Sequence, residues 1–181
     1  MSDNAREFVF KLTILGDAAV GKTSLISQYV ESTFQEDYKP TLGANIIRKD
    51  VNIDDTKVRL IMWDLAGQEK YNVIRSMYFQ GCVGALLVYD ITREKTFAAI
   101  KDKWLNDFKK YVEQEGAYIL IGNKKDLEEQ RMVKTEEGET LGKQIKACNF
   151  VETSAKYGEN VEKAFENLVR QILRNHGEDI H

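Results

Sequence analysis

The chain has a single proline, Pro40, and only two cysteines, Cys82 and Cys148. Two cysteines far apart in sequence are too few for a disulfide scaffold. Their apolar neighbours lead us to expect two reduced thiols in the core. No apolar run reaches the ~18 residues that a membrane-spanning helix needs. Met1 to Arg6 contains no apolar signal segment, and Ser2 stands where myristoylation would require glycine. Neither sign of charge is in excess: 26 Lys and Arg face 29 Asp and Glu, for a net charge of -3. That balance excludes a nucleic-acid partner held by bulk electrostatics. Internal repeats, low-complexity stretches and linkers rich in Pro, Gly or Ser are all missing. What remains is an ordinary globular composition, 43% hydrophobic and 30% charged over 181 residues. One domain is expected across 1–181, with a core at about 8–174 and a short tail at 175–181.

Strand-like runs alternate with helical patterns from end to end, which predicts an α/β fold with a mostly parallel sheet. Phe8 to Leu15 reads as the first strand, and a helix is expected from Gly21 to about Tyr29 or Val30. Residues 44–53 and 57–64 read as a hairpin turning at Asp54-Asp55, giving one antiparallel edge. Val83 to Tyr89 and Ala117 to Ile121 are near-continuous apolar runs, as strands covered on both faces require. Phe97, Ile100, Trp104, Phe108 and Tyr111 recur at helical spacing, as do Val161, Phe165, Leu168, Ile172 and Leu173. Both stripes read as core faces, with Trp104 as a packing residue.

The chemistry falls on loops after strands, at the sheet edge where open α/β folds bind ligands. Gly16-Asp17-Ala18-Ala19-Val20-Gly21-Lys22-Thr23 has the spacing of a phosphate-binding loop, between a predicted strand and a predicted helix. Its backbone N–H groups would converge on an anion, helped by the helix N-terminus. Lys22 would reach the β- and γ-phosphates, and the Thr23 hydroxyl would ligate Mg²⁺. Asp64 ends the third strand, where a carboxylate can hold Mg²⁺ through water. Gly67 can offer an unobstructed N–H to the γ-phosphate, and Gln68 can orient an attacking water as the catalytic residue. Asn123-Lys124-Lys125-Asp126 follows an apolar strand. A carboxylate there can accept from guanine N1–H and N2–H₂, a donor pair that adenine lacks.

In this order the motifs resemble those of the Ras-superfamily small GTPases, most closely the Rab branch, over about Phe8 to Arg174. Trp63 to Glu69 and Gly84 to Thr92 carry the Rab likeness. The resemblance implies a P-loop NTPase fold of the small G-protein kind. Its sheet would have six strands, mostly parallel with one antiparallel edge strand, and about five helices on both faces. It implies Mg²⁺ and GTP or GDP as ligands, and slow GTP hydrolysis that a partner accelerates. Ala19, Val20, Gly21, Lys22, Thr23 and Ser24 would line the phosphates. Phe34 would lie against the guanine face, with Tyr38 also at the nucleotide. Thr41 would bind Mg²⁺ and the γ-phosphate. Asn123 would tie the base loop to the phosphate loop, and Lys124 would pack along base and ribose. The Ala155 N–H would bond guanine O6, with Ser154 and Lys156 shaping that loop. Switch I (about 34–45) and switch II (about 65–79) would relax on hydrolysis and signal to effectors.

The chain departs from the Rab pattern at Leu42-Gly43-Ala44-Asn45-Ile46, which lacks an aromatic, and at Met77 to Cys82. Ala18 stands near the entry path of a partner's arginine finger. No terminal prenylation cysteine follows His176 to His181. A cytoplasmic monomer without a membrane anchor is therefore the expectation for this chain, with an exchange factor, a GTPase-activating protein and effectors as partners. Trp63, Tyr71 and Tyr78 are read either as an aromatic effector patch or as core. His176 and His181 read as incidental residues of a frayed end, and the charges around Lys125 and Glu128 as a solvated loop. Two other functions fit parts of the pattern. A scaffold could hold GTP with little turnover, though Gln68 and Thr41 would then be superfluous. A P-loop kinase or ATPase would explain Lys22 and Thr23 but not Asp126 or Ser154 to Lys156.

Overall fold

The apolar runs become the centre of a six-stranded sheet of order β2-β3-β1-β4-β5-β6. The computed structural model describes residues 7–32, 44–65, 78–112 and 116–180. The strands are β1 (Glu7–Leu15), β2 (Ala44–Ile53), β3 (Thr56–Leu65), β4 (Cys82–Asp90), β5 (Ala117–Asn123) and β6 (Asn149–Thr153). Among the described strands only β2 and β3 pair antiparallel, with Ile53 opposite Thr56 across the Asp54-Asp55 turn; the other strand pairs are parallel. Asp54 takes a left-handed φ of 50° in this turn. Arg170 grips its carboxylate through two bonds of 2.9 and 3.0 Å.

Five α-helices flank the sheet among the described residues: α1 (Lys22–Glu31), α2 (Glu94–Ala99), α3 (Leu105–Tyr111), α4 (Thr135–Ile145) and α5 (Val161–Asn175). Alternation along the strands builds two cores. Phe10, Leu12, Ile14, Leu86, Val88, Ile119 and Ile121 face α1 and α5. Leu15, Leu87, Tyr89 and Leu120 face Trp104, Phe108, Leu141 and Ile145 on the other side. Tyr29 of α1 stacks on Phe165 of α5 at 4.0 Å between ring centroids.

Three expectations change. The stripe from Phe97 to Tyr111 is not one straight helix, because a π-helical turn, Ile100–Trp104, separates α2 from α3. Cys82 is a buried thiol as expected, pushed up to about 11 by burial, but Cys148 is exposed. Cys148 lies between α4 and the start of an edge strand, where apolar sequence neighbours point inward and leave it outside. His176 is not frayed: its Nδ1 lies 2.8 Å from the Ile172 carbonyl oxygen, and its ring packs 5.2 Å from that of Phe10.

Candidate functional site

Five segments meet at the carboxyl ends of β1, β3, β4, β5 and β6. The loop from Gly16 to Gly21 joins β1 to α1, and it is fixed by two close approaches. Gly16 runs against β4, where an added Cβ would stand 2.2 Å from the Val88 carbonyl oxygen. Gly21 has φ 98°, and an added Cβ would stand 2.3 Å from Asn123 Nδ2. Any larger residue at either position displaces backbone or the Asn123 amide. Ala19 also takes a left-handed φ, 61°, although it carries a Cβ. Such a conformation costs about 1–2 kcal/mol and persists only where surrounding contacts hold it.

Lys22 opens α1 and is buried, with its ammonium donating to the carbonyls of Gly16 and Asp17 at 2.8 Å each. Burial pushes it down to about 8, against the attraction of the Asp64 and Asp17 carboxylates. Thr23 follows, with its hydroxyl donating to the Asp64 carboxylate. Asp64 is buried at the end of β3, beside Ile14 of β1 in register. Ser24 is half-buried in the same turn of α1.

Asn123, at the end of β5, is the hub. Its Nδ2 donates to the Val20 carbonyl at 2.9 Å. Its Oδ1 accepts from the Thr153 hydroxyl at 3.0 Å and from the Ala155 amide at 3.2 Å. Ser154 is buried and donates to Asp126 Oδ1 at 2.7 Å, which fixes the carboxylate plane. Lys156 is exposed at the rim. Asp126 lies in the first turn of a short 3₁₀ helix, Lys125–Gln130, where a solvated loop was expected.

Two bracing residues have no role in the sequence reading. Asp90, buried at the end of β4, accepts from Lys124 at 2.7 Å, Arg93 at 2.9 Å and both the amide and hydroxyl of Thr92. Burial works to raise its pKa, but hydrogen bonds from Lys124 and Thr92 outweigh it and hold the carboxyl below its ordinary value. Lys124, expected only along the base, is thus anchored by its ammonium. Arg131 bridges Glu128 of the 3₁₀ helix and Glu152 of β6, at 2.7 Å to each. It joins the segment that carries Asp126 to the strand that leads into Ser154. A charged pair at the ends of two segments expected to contact the base is the signal that could have located it.

Trp63 is half-buried, its ring 5.5 Å from that of Tyr78, with the Lys11 ammonium 4.1 Å above it. Phe34, Tyr38, Thr41, Gly67, Gln68 and Tyr71, with most of both switch segments and His181, lie outside the described residues.

With this geometry in place, the matches to known proteins are specific. The model of the Ras family matches residues 11–174. Ras-related protein RABA6b of Arabidopsis thaliana is 41% identical over 170 residues, covering 94% of this chain and 73% of its own length. Ras-related protein RABA5b of the same organism is 40% identical over 173 residues, covering 96% of this chain and 79% of its own. Ras-related protein Rab-1 of Theileria parva is 39% identical over 166 residues, 92% of this chain and 75% of its own.

Proposed function

This chain belongs to the Ras family, and from that premise we propose which of its residues perform the switching that membership entails. It is a Rab-like, GTP-binding molecular switch that hydrolyses GTP to GDP. Regulators and effectors act on it as they do on Ras and Rab proteins generally, and a place in vesicle trafficking fits its Rab relatives. Membership sets aside both the scaffold with little turnover and the small-substrate kinase.

The observation that carries the residue assignment is the position of Asn123. One amide side chain fastens the phosphate loop at Val20 to the Thr153–Ala155 segment, and Asp126 follows three residues on. Backbone N–H groups from Ala19 to Ser24 and the Lys22 ammonium take the phosphates. Asp126, oriented by Ser154, accepts from the guanine N1–H and N2–H₂. The Ala155 amide turns from Asn123 Oδ1 to the base O6, and Lys124 lies along the base with Asp90 behind it. Phe34 and Tyr38 cover the nucleotide. Thr41 and Gly67 hold the γ-phosphate, and Gln68 orients the attacking water. Most of the catalysis is positioning and charge neutralisation.

Thr23 and Asp64 fit Mg²⁺, since their hydroxyl and buried carboxylate oxygens already lie side by side and are hard donors. These two, Asp64 through water, would hold the ion together with Thr41. Bound there, it would neutralise charge on the β- and γ-phosphates. We take a cytoplasmic monomer as the working unit.

Displacement of a fluorescent GDP analogue from the nucleotide-free protein tests the base assignment. GTP should displace it at far lower concentration than ATP, and Asp126→Ala should erase most of that preference. Equal displacement by GTP and ATP from the unaltered protein would remove the role given to Asp126.

A further inference from the structure

An acidic residue stands inside the anion-binding loop. Asp17 is its second residue, and an unrestrained carboxylate there would repel the phosphates that the loop must hold. The structure shows what restrains it: Trp104 Nε1 donates to Asp17 Oδ1 at 2.8 Å. The indole is 3% exposed, and the Lys103 ammonium lies 4.6 Å from its ring centroid. The carbonyl of the same Asp17 accepts from the Lys22 ammonium at 2.8 Å. Next to it, the Ala18 carbonyl accepts from Arg93 Nη2 at 3.1 Å, while Arg93 Nε is held by Asp90. The outer rim of the phosphate loop is therefore fastened by side chains from the β4–α3 side of the sheet.

Trp104 ends the π-helical turn Ile100–Trp104. Such turns interrupt an α-helix and recur where a side chain has a task to perform. Packing alone does not call for a donor at this position, since Phe108 fills the same core without one. We propose that Trp104 is a positioning residue of the nucleotide site: its indole N–H fixes the Asp17 carboxylate on the helix side of the loop and thereby slows nucleotide release. The inference rests on the guanine-nucleotide reading above.

The test is release of a fluorescent GDP analogue from the full chain, chased with unlabelled GDP. The unaltered protein is compared with Trp104→Phe, Asp17→Asn and the double variant. Release should be roughly three- to tenfold faster in Trp104→Phe, about the net worth of one ordinary hydrogen bond. The acceleration should largely vanish when Asp17→Asn is added, because no freed charge remains to repel the phosphates. Unchanged release in Trp104→Phe, or an acceleration equally large with Asn at position 17, overturns the inference. If Trp104→Phe does not fold, benzothienylalanine at position 104 keeps the ring's shape and lacks the N–H. It should accelerate release to the same extent, and unchanged release there also overturns the inference. An unaltered protein that retains no GDP analogue overturns the nucleotide reading and this inference with it. Retention with an unresponsive Trp104 overturns this inference alone.

Discussion

Lys22 links pH to ligand binding. Burial depresses it to about 8 from an ordinary 10.5. A phosphate beside the ammonium restores the charged form, so binding takes up a proton wherever the free lysine has lost one. GDP affinity of the nucleotide-free protein should therefore fall as pH rises through 8, by up to about tenfold per pH unit. Titrations from pH 7 to 10 measure the slope, which should be absent in Lys22→Met. For folding the sign is reversed. Between pH 8 and 10.5 the unfolded chain holds this proton and the folded chain does not, so Lys22 makes stability rise with pH there. Side-chain identity and spacing made Lys22, Asn123 and Asp126 legible before any coordinates. Asp90, Arg131 and the Trp104–Asp17 bond were not legible, because each depends on which polar atoms meet across the fold. Asp17 and Trp104 are 87 residues apart, and a periodic stripe says which face is buried without saying where an N–H points.

At the scale of elements, α1 and α5 meet through an aromatic stack. Tyr29 and Phe165 stack with their rings 1° from parallel, and the Lys49 ammonium of β2 lies 3.8 Å over Tyr29. Phe165 is buried, so Phe165→Ala leaves a cavity between two helices and the sheet. Urea unfolding should show a loss of about 3–5 kcal/mol, and a loss under 1 kcal/mol would mean that the helices collapse onto the gap. Strands and this helix pair were readable because their apolar periods of two and of three to four match one buried face each. The hairpin was readable because the alternation breaks at Asp54-Asp55. The π-helical turn was hidden, since the spacing Phe97, Ile100, Trp104, Phe108, Tyr111 suits an unbroken α-helix equally well. Cys148 fell on the wrong side of the surface, and His176 found partners at a helix end, for a related reason: element ends are where sequence pattern fades and packing decides.

At the scale of the whole molecule, the sheet order puts every described segment of the site at one edge. β1 and β3 deliver the phosphate loop and Asp64, while β4, β5 and β6 deliver Asp90, Asn123 and the Thr153–Ala155 segment. By the reading proposed above, this edge holds guanine nucleotide and converts GTP to GDP with Gln68 orienting the water. Chromatography of the nucleotide released from purified, Mg²⁺-containing protein, before and after one turnover with GTP, tests it most directly. We expect guanine nucleotide that passes from GTP to GDP, with conversion slowed at least about tenfold in Gln68→Leu, which removes the group that orients the water. Adenine nucleotide, no nucleotide, or GTP that persists unchanged in the unaltered protein would contradict it.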